Sequence, residues 1–399
     1  MASLAMASSL SASPFRLYMD YRRRWSLFMT TMVVAVAVMT SCSEGQMVPA
    51  AFVFGDSVVD VGNNNHLLFS IAKSNYPHYG VDFAYSEPTG RFSNGKIPSD
   101  LVAEKLGLPS PPPYLSIRHI WQNINKNVSE LGFGFGFGSI PLTGLNFASA
   151  GCGVLKNTGS IFGVHISLEE QVDYYAKVYS TLLKLRGYDR TENIVSKALF
   201  LVVIGSNDML NYYDSDSLRE KFAPQDRSNQ TASKLVEQLE RLYAYGARRF
   251  ALTGLPALGC APARRLPVKN QECDNELNSM CDTYNRMLKP MLQLFKSKHK
   301  GVSYTYFDAY TFFLDVVNNA SRYGFSETKA ACCGVGKLEA EFLCTPFSDY
   351  CEDRNKYMFF DRIHPTEAMY RHVVDAIIDG PSKYVAPMNI RKLVSEHAS

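Results

Sequence analysis

Short apolar runs recur along the chain, most of them closed by glycine or a small polar residue. The segments 51–55, 144–148, 198–205, 249–254, 302–307 and 358–360 read as strands. The run 198–205 (ALFLVVIG) has no polar alternation, which suits a parallel strand buried on both faces. Between the runs the period changes. Leu235, Leu239 and Leu242 recur at helical spacing within 233–245, with Glu237, Glu240 and Arg241 on the other side. Met287, Leu288, Met291, Leu292 and Phe295 repeat the pattern within 281–296. A third helix is expected at 366–379, introduced by Pro365. The polar stretch 212–227 reads as loop. Strands alternating with helices predict an α/β fold, a mostly parallel sheet with helices on both faces in three layers. No repeat or linker divides the chain, so 46–399 reads as a single domain.

The first 45 residues follow a different pattern. The segment 1–17 is rich in Ser and Ala and has no acid, like a transit peptide. Arg22, Arg23 and Arg24 then precede an apolar run, 25–39, followed by the small residues Ser41, Cys42 and Ser43. That is the layout of a secretory signal peptide. The run is short and interrupted by Thr30 and Thr31, so no stable membrane span is expected.

The charge balance, 41 basic against 38 acidic residues, is too even for a nucleic-acid partner, and no basic stripe occurs. Cysteine usage is more telling. Without Cys42, eight remain: Cys152, Cys260, Cys273, Cys281, Cys332, Cys333, Cys344 and Cys351. An even set, clustered toward the C-terminal half, suits disulfides in an oxidising compartment. Cys332 and Cys333 are adjacent and are expected to bond to different partners. The absence of a Cys-x-x-Cys pair and the scatter of the histidines argue against a metal site. Asn127, Asn229 and Asn319 head glycosylation triplets, which fit secretion.

Four segments carry candidate chemistry. The strand at 51–55 runs into Gly55-Asp56-Ser57, a turn that can present a hydroxyl at a sheet's C-terminal edge. The strand near 358–360 ends in Asp361 and His364, three positions apart, close enough for the carboxylate to meet the ring. A serine hydroxyl is a weak nucleophile until a base removes its proton, and the base works best when a third group orients it. The buried run 198–205 ends at Asn207, whose amide N–H groups can stabilise an oxyanion. The segment 145–153 places small residues, among them Ser149, Ala150 and Gly151, where backbone N–H groups can approach a ligand. Alone, each piece has an ordinary structural explanation: a turn, a helix start, a capping Asn, a small-residue loop.

Taken in order, the four segments resemble the plant GDSL esterase/lipase family of the SGNH hydrolase superfamily. The likeness runs from Ala51 to about Asp379 and includes 90–98 (GRFSNGKIP) and 255–260 (LPALGC). It implies a flavodoxin-like sheet and a serine esterase or lipase that hydrolyses small-molecule or lipid esters through an acyl-serine. Ser57 would be the nucleophile, His364 the general base and acid, and Asp361 its orienter. The oxyanion hole would use the Ser57 N–H, an N–H at Ala150 or Gly151, and the Asn207 side chain. The family pattern has Gly directly after the serine of the second block, and here Ala150 holds that place. The chemistry requires no metal or organic cofactor. The leader, the cysteines and the glycosylation triplets point to an extracellular location, apoplast or cell wall, with vacuole or plastid as the alternative. Two rival activities share this pattern: an acyltransferase using the same triad, and a non-catalytic secreted binding protein on the same scaffold. The stretch 115–142 does not align with the family pattern, and its Phe/Gly-rich part, 132–138, follows no strand and opens no helix, which excludes a nucleotide loop.

Overall fold

The computed structural model describes residues 45–118 and 143–395. The leader up to residue 44, Asn127 and the stretch 132–138 lie outside them. Five parallel strands form the centre: β1 (Ala51–Gly55), β2 (Gly144–Asn146), β3 (Leu199–Val203), β4 (Arg249–Thr253) and β5 (Ser303–Phe307). A short strand, Val385–Ala386, pairs antiparallel outside β5. Across the sheet the parallel strands run 2-1-3-4-5, the order of flavodoxin-like doubly wound sheets.

Alternation along the strands builds the three layers. Phe52, Phe54, Phe200, Phe250 and Leu252 face one side and pack against α2 (Leu168–Arg186), α4 (Pro224–Ala244) and α5 (Asn275–Lys298). Ala51, Val53, Leu199, Leu201 and Ala251 face the other. That side is covered by α1 (Pro98–Lys105), α6 (Ala309–Asn318) and α7 (Glu367–Asp379). Every residue of β1 is buried, as a two-faced strand requires.

Three expectations need correction. The stretch 212–227 is not all loop. It holds the helix Asp216–Lys221, capped by the Ser215 Oγ, and Pro224 opens α4. Cap residues, not apolar periodicity, mark these ends, so the hydrophobic pattern misses them. The strand near 358–360 does not join the central sheet. As β7 (Tyr357–Phe359) it pairs with β6 (Glu327–Ala331) in a separate two-stranded sheet. Finally, six cysteines, not eight, form disulfides: Cys260–Cys273, Cys332–Cys351 and Cys333–Cys344. Cys152 and Cys281 are free among the described residues and buried in the core, Cys281 on α5 itself and Cys152 with its Sγ 3.2 Å from Gly55 O. Cys332 and Cys333 do bond to different partners.

Candidate active site

Ser57 stands just beyond the C-terminal end of β1, and Asn207 opens α3 (Ser206–Tyr213) just beyond β3. These neighbouring strands flank the point where the sheet's winding reverses, the place where open α/β folds leave a crevice. The chain leaves β1 through a turn rather than a helix, with the Val59 and Asp60 N–H groups donating to the Asp56 carbonyl. Gly55 is required here because a Cβ would lie 2.2 Å from the Val203 carbonyl oxygen. The buried Gln171 side chain clamps the Gly55 peptide, its Oε1 accepting from Gly55 N–H and its Nε2 donating to Gly55 O, both at 2.9 Å.

The Asp361–His364 segment arrives from β7. Its backbone folds on itself, with the Phe360 N–H donating to His364 O at 2.8 Å. Asp361 Oδ1 accepts from the Ile363 and His364 N–H groups at 2.9 and 2.7 Å. The His364 Nδ1 lies 2.8 Å from Asp361 Oδ2, and its Nε2 lies 2.8 Å from Ser57 Oγ. Tyr79 donates its hydroxyl to Asp361 Oδ2 at 2.7 Å. Burial presses the Asp361 carboxyl upward, but the His364 charge and the ring and backbone hydrogen bonds outweigh it, and it sits below its ordinary value. The signature GRFSNG packs behind this segment. The Phe92 ring lies 4.9 Å from the His364 ring, Ser93 Oγ donates to Pro365 O at 3.0 Å, and Asn94 Oδ1 accepts from Glu367 N–H at 2.9 Å.

The oxyanion candidates separate. Asn207 Nδ2 donates one N–H to Cys152 O at 2.9 Å, which orients the amide and leaves a second N–H. The Ala150 N–H is already used: it donates to the buried Asp60 Oδ2 at 3.0 Å. The Gly151 and Ser57 N–H groups have no acceptor among the described residues. Gly151 lines the same cleft as Ser57, Asn207 and His364. Its φ of +83° suits glycine, and a Cβ there would lie 2.9 Å from the Phe162 ring. Ala150 has no such positive φ, so alanine stands where the family pattern has glycine without strain.

Residues that the sequence reading passed over hold this turn. Asn64 Nδ2 donates to Ala150 O at 2.9 Å, and Ser149 Oγ donates to Asn64 Oδ1 at 2.6 Å. Asn63 Nδ2 reaches Asn146 O and Ala148 O, both at 2.9 Å. Asp208, buried on α3, accepts from the Val154 and Leu155 N–H groups at 2.8 and 3.0 Å and from Thr158 Oγ1 at 2.7 Å. For Asn63 and Asn64 the signal was the unusual Asn63-Asn64-Asn65 run directly after the Ser57 turn.

Burial lifts Asp60 from 3.8 to about 6, against the N–H groups of Gly62, Asn63 and Ala150, which favour its charge. The folded chain therefore holds this proton more tightly than the unfolded one. The contribution to stability is present below about pH 4 and is lost as pH rises through about 6. Asp60→Asn is expected to remove up to about 1.4 kcal/mol per pH unit of that decline. Denaturant titrations of both proteins between pH 4 and 7 would read it, and parallel slopes would count against the burial argument.

Residues 52–377 match the family model described as GDSL-like Lipase/Acylhydrolase. The chain is 43% identical over 353 residues to GDSL esterase/lipase At5g55050 of Arabidopsis thaliana, covering 87% of this chain and 90% of that one. It is 37% identical over 355 residues to GDSL esterase/lipase At1g29670 of the same plant, covering 88% and 92%. GDSL esterase/lipase LTL1, also from Arabidopsis thaliana, is 36% identical over 345 residues, covering 86% and 89%. With the matched segment running from β1 past β5 and including both Ser57 and His364, the chain belongs to the GDSL-like lipase/acylhydrolase family.

Proposed function

We propose that this protein is a secreted carboxylic-ester hydrolase working through an acyl-serine at Ser57. The observation that carries the reading is the 2.8 Å approach of His364 Nε2 to Ser57 Oγ, with Asp361 on the ring's other nitrogen. His364 takes the hydroxyl proton as Oγ bonds to the ester carbonyl carbon. The carbonyl oxygen becomes an oxyanion, held by the Ser57 and Gly151 N–H groups and the second N–H of Asn207. Collapse breaks the C–O bond to the alcohol, which leaves with the proton from His364. Water then attacks the acyl-serine, gives a proton to His364, and the acid departs as Ser57 recovers its hydrogen.

A fluorophosphonate probe tests the assignment. The expected adduct is on Ser57, found by peptide mass spectrometry, together with loss of 4-nitrophenyl butanoate hydrolysis. Labelling of a different residue, or none in a folded sample, counts against it. Asn207→Ala is expected to lower kcat about 10²–10³-fold with KM nearly constant, because its amide meets charge that exists only in the transition state. An equal loss carried by KM alone would mean that Asn207 binds the ground state instead.

Secretion rests on the disulfides and on two exposed acceptors, Asn229 on α4 and Asn319 at the end of α6. The full chain expressed in plant cells is expected in the extracellular fluid, with a mass that peptide N-glycosidase reduces. Retention in the cytosol at unmodified mass would refute that part.

A further inference from the structure

Two cavities meet at Ser57, and their chemistry differs. Ser57, Asn207, Leu210, Ile363 and His364 line both. One is a broad cleft that also holds Gly151; its walls are mostly apolar, with Ile161, Phe162 and Leu343, but it is the more polar of the two and also carries Lys73, Asn211, Asp214 and Arg264. The other runs across the carboxyl edge of the sheet. It starts at Ser57 after β1, passes Val203 at the end of β3 and Leu255 after β4, and reaches Phe307 at the end of β5. Its far wall is α6, with Ala309 and Phe313, and Val373 and Ile377 of α7 close its side.

An ester at Ser57 extends in two directions, and hydrolysis treats its halves differently. The alcohol must pick up a proton from His364 and give way to water, so its path has to be wet. The acyl group stays attached until water arrives, so it profits from a dry site throughout. We propose that the acyl chain lies in the cavity beneath the strand ends, that the alcohol occupies the more polar cleft, and that Ala309 and Phe313 set the chain length. The assignment of halves rests on the Ser57 reading above, while the apolar cavity itself does not.

The sheet supplies a ruler. From β1 to β5 there are three strand spacings of about 4.8 Å, roughly 14 Å in all. A zigzag chain of carbon–carbon bonds near 1.5 Å covers that distance with about ten to twelve carbons. Burial of each methylene raises kcat/KM by up to about fourfold until the far wall is met. The lining is apolar apart from a few groups, such as Asp56 beside the serine, so a straight saturated chain suits it.

The test has two arms. In the first, 4-nitrophenyl esters from butanoyl to hexadecanoyl keep the alcohol constant. The expected optimum is near decanoyl or dodecanoyl. Ala309→Phe is expected to lower the dodecanoyl-to-butanoyl ratio of kcat/KM at least tenfold, and Phe313→Ala to move the optimum to longer chains. Ile161→Trp, at the rim of the more polar cleft, is expected to change alcohol preference instead. The second arm measures dodecanoate binding to the wild type and to both wall variants by calorimetry, which needs no catalysis. Weaker binding by at least tenfold in Ala309→Phe supports the cavity even if no ester is hydrolysed, an outcome that would sink only the hydrolase reading. A flat chain-length profile, wall variants that alter neither ratio nor binding, or an acyl-length shift caused by Ile161→Trp would overturn the assignment. If Ala309→Phe does not fold, Phe313→Ala carries the same comparison in the opposite direction.

Discussion

Ser57→Ala is expected to lower kcat on 4-nitrophenyl butanoate by roughly 10⁴–10⁶-fold while the protein stays folded. The size follows from the geometry. Without Oγ, His364 Nε2 has no proton to take, and no acyl-enzyme can form, so Asp361 and His364 lose their task together. What remains is the oxyanion hole and substrate positioning, which still accelerate attack by water about 10³–10⁴-fold over solution. Ser57 is only 9% exposed and its side chain is small, so the substitution leaves no sizeable cavity. Burst kinetics separate the outcomes: wild type is expected to release nitrophenol in a rapid first turnover, and the variant is not. A folded variant with wild-type turnover would remove Ser57 from the reaction.

Asp361→Asn is expected to cost about 10⁴ in kcat, for a different reason. Asp361 is a pure acceptor with four donors around it: Tyr79 OH, the Ile363 and His364 N–H groups, and the His364 ring. An amide can keep the two backbone donors on its oxygen. Its NH₂ group then faces the Tyr79 hydroxyl and His364 Nδ1. The ring answers by accepting at Nδ1 and carrying its proton on Nε2, where it can no longer take the Ser57 proton. The same carboxylate also supports folding. Its folded-state pKa lies below the unfolded value, so its contribution is present above about pH 4 and is lost as pH falls further. The variant is therefore expected to lose activity at every pH and to lose acid sensitivity of stability. Loss of activity confined to low pH would contradict the tautomer argument.

Much of the fold was legible because burial on both faces leaves a plain mark in sequence. The runs that became β1 (AFVFG) and β3 (LFLVV) are apolar throughout, β4 and β5 carry only isolated polar residues among their apolar ones, and the helices that cover them carry stripes at helical spacing. What failed to show were elements whose cause is not apolar periodicity. The helix Asp216–Lys221 has no buried residue and owes its start to Ser215. The pairing of β7 with β6 depends on a partner thirty residues upstream, at Glu327–Ala331, which β7's own pattern does not name. The cysteines mislead for a similar reason. Parity counts sulfurs, whereas bonding needs two Cβ atoms brought close, and Cys152 and Cys281 are instead spent as core filler.

The site divides along the same line. Residue type and chain order alone point to a hydroxyl, an acid and an imidazole at the ends of apolar runs, and so to Ser57, Asp361 and His364 as candidates. That is local chemistry, carried by what each side chain can do. Which N–H groups are left to meet an oxyanion depends on distant partners. Asp60 takes the Ala150 N–H from ninety residues away, the Gly151 N–H has no acceptor among the described residues, and Cys152 O turns the Asn207 amide. Hydrogen-bond donors are exhaustible, and only the folded chain decides where each is used.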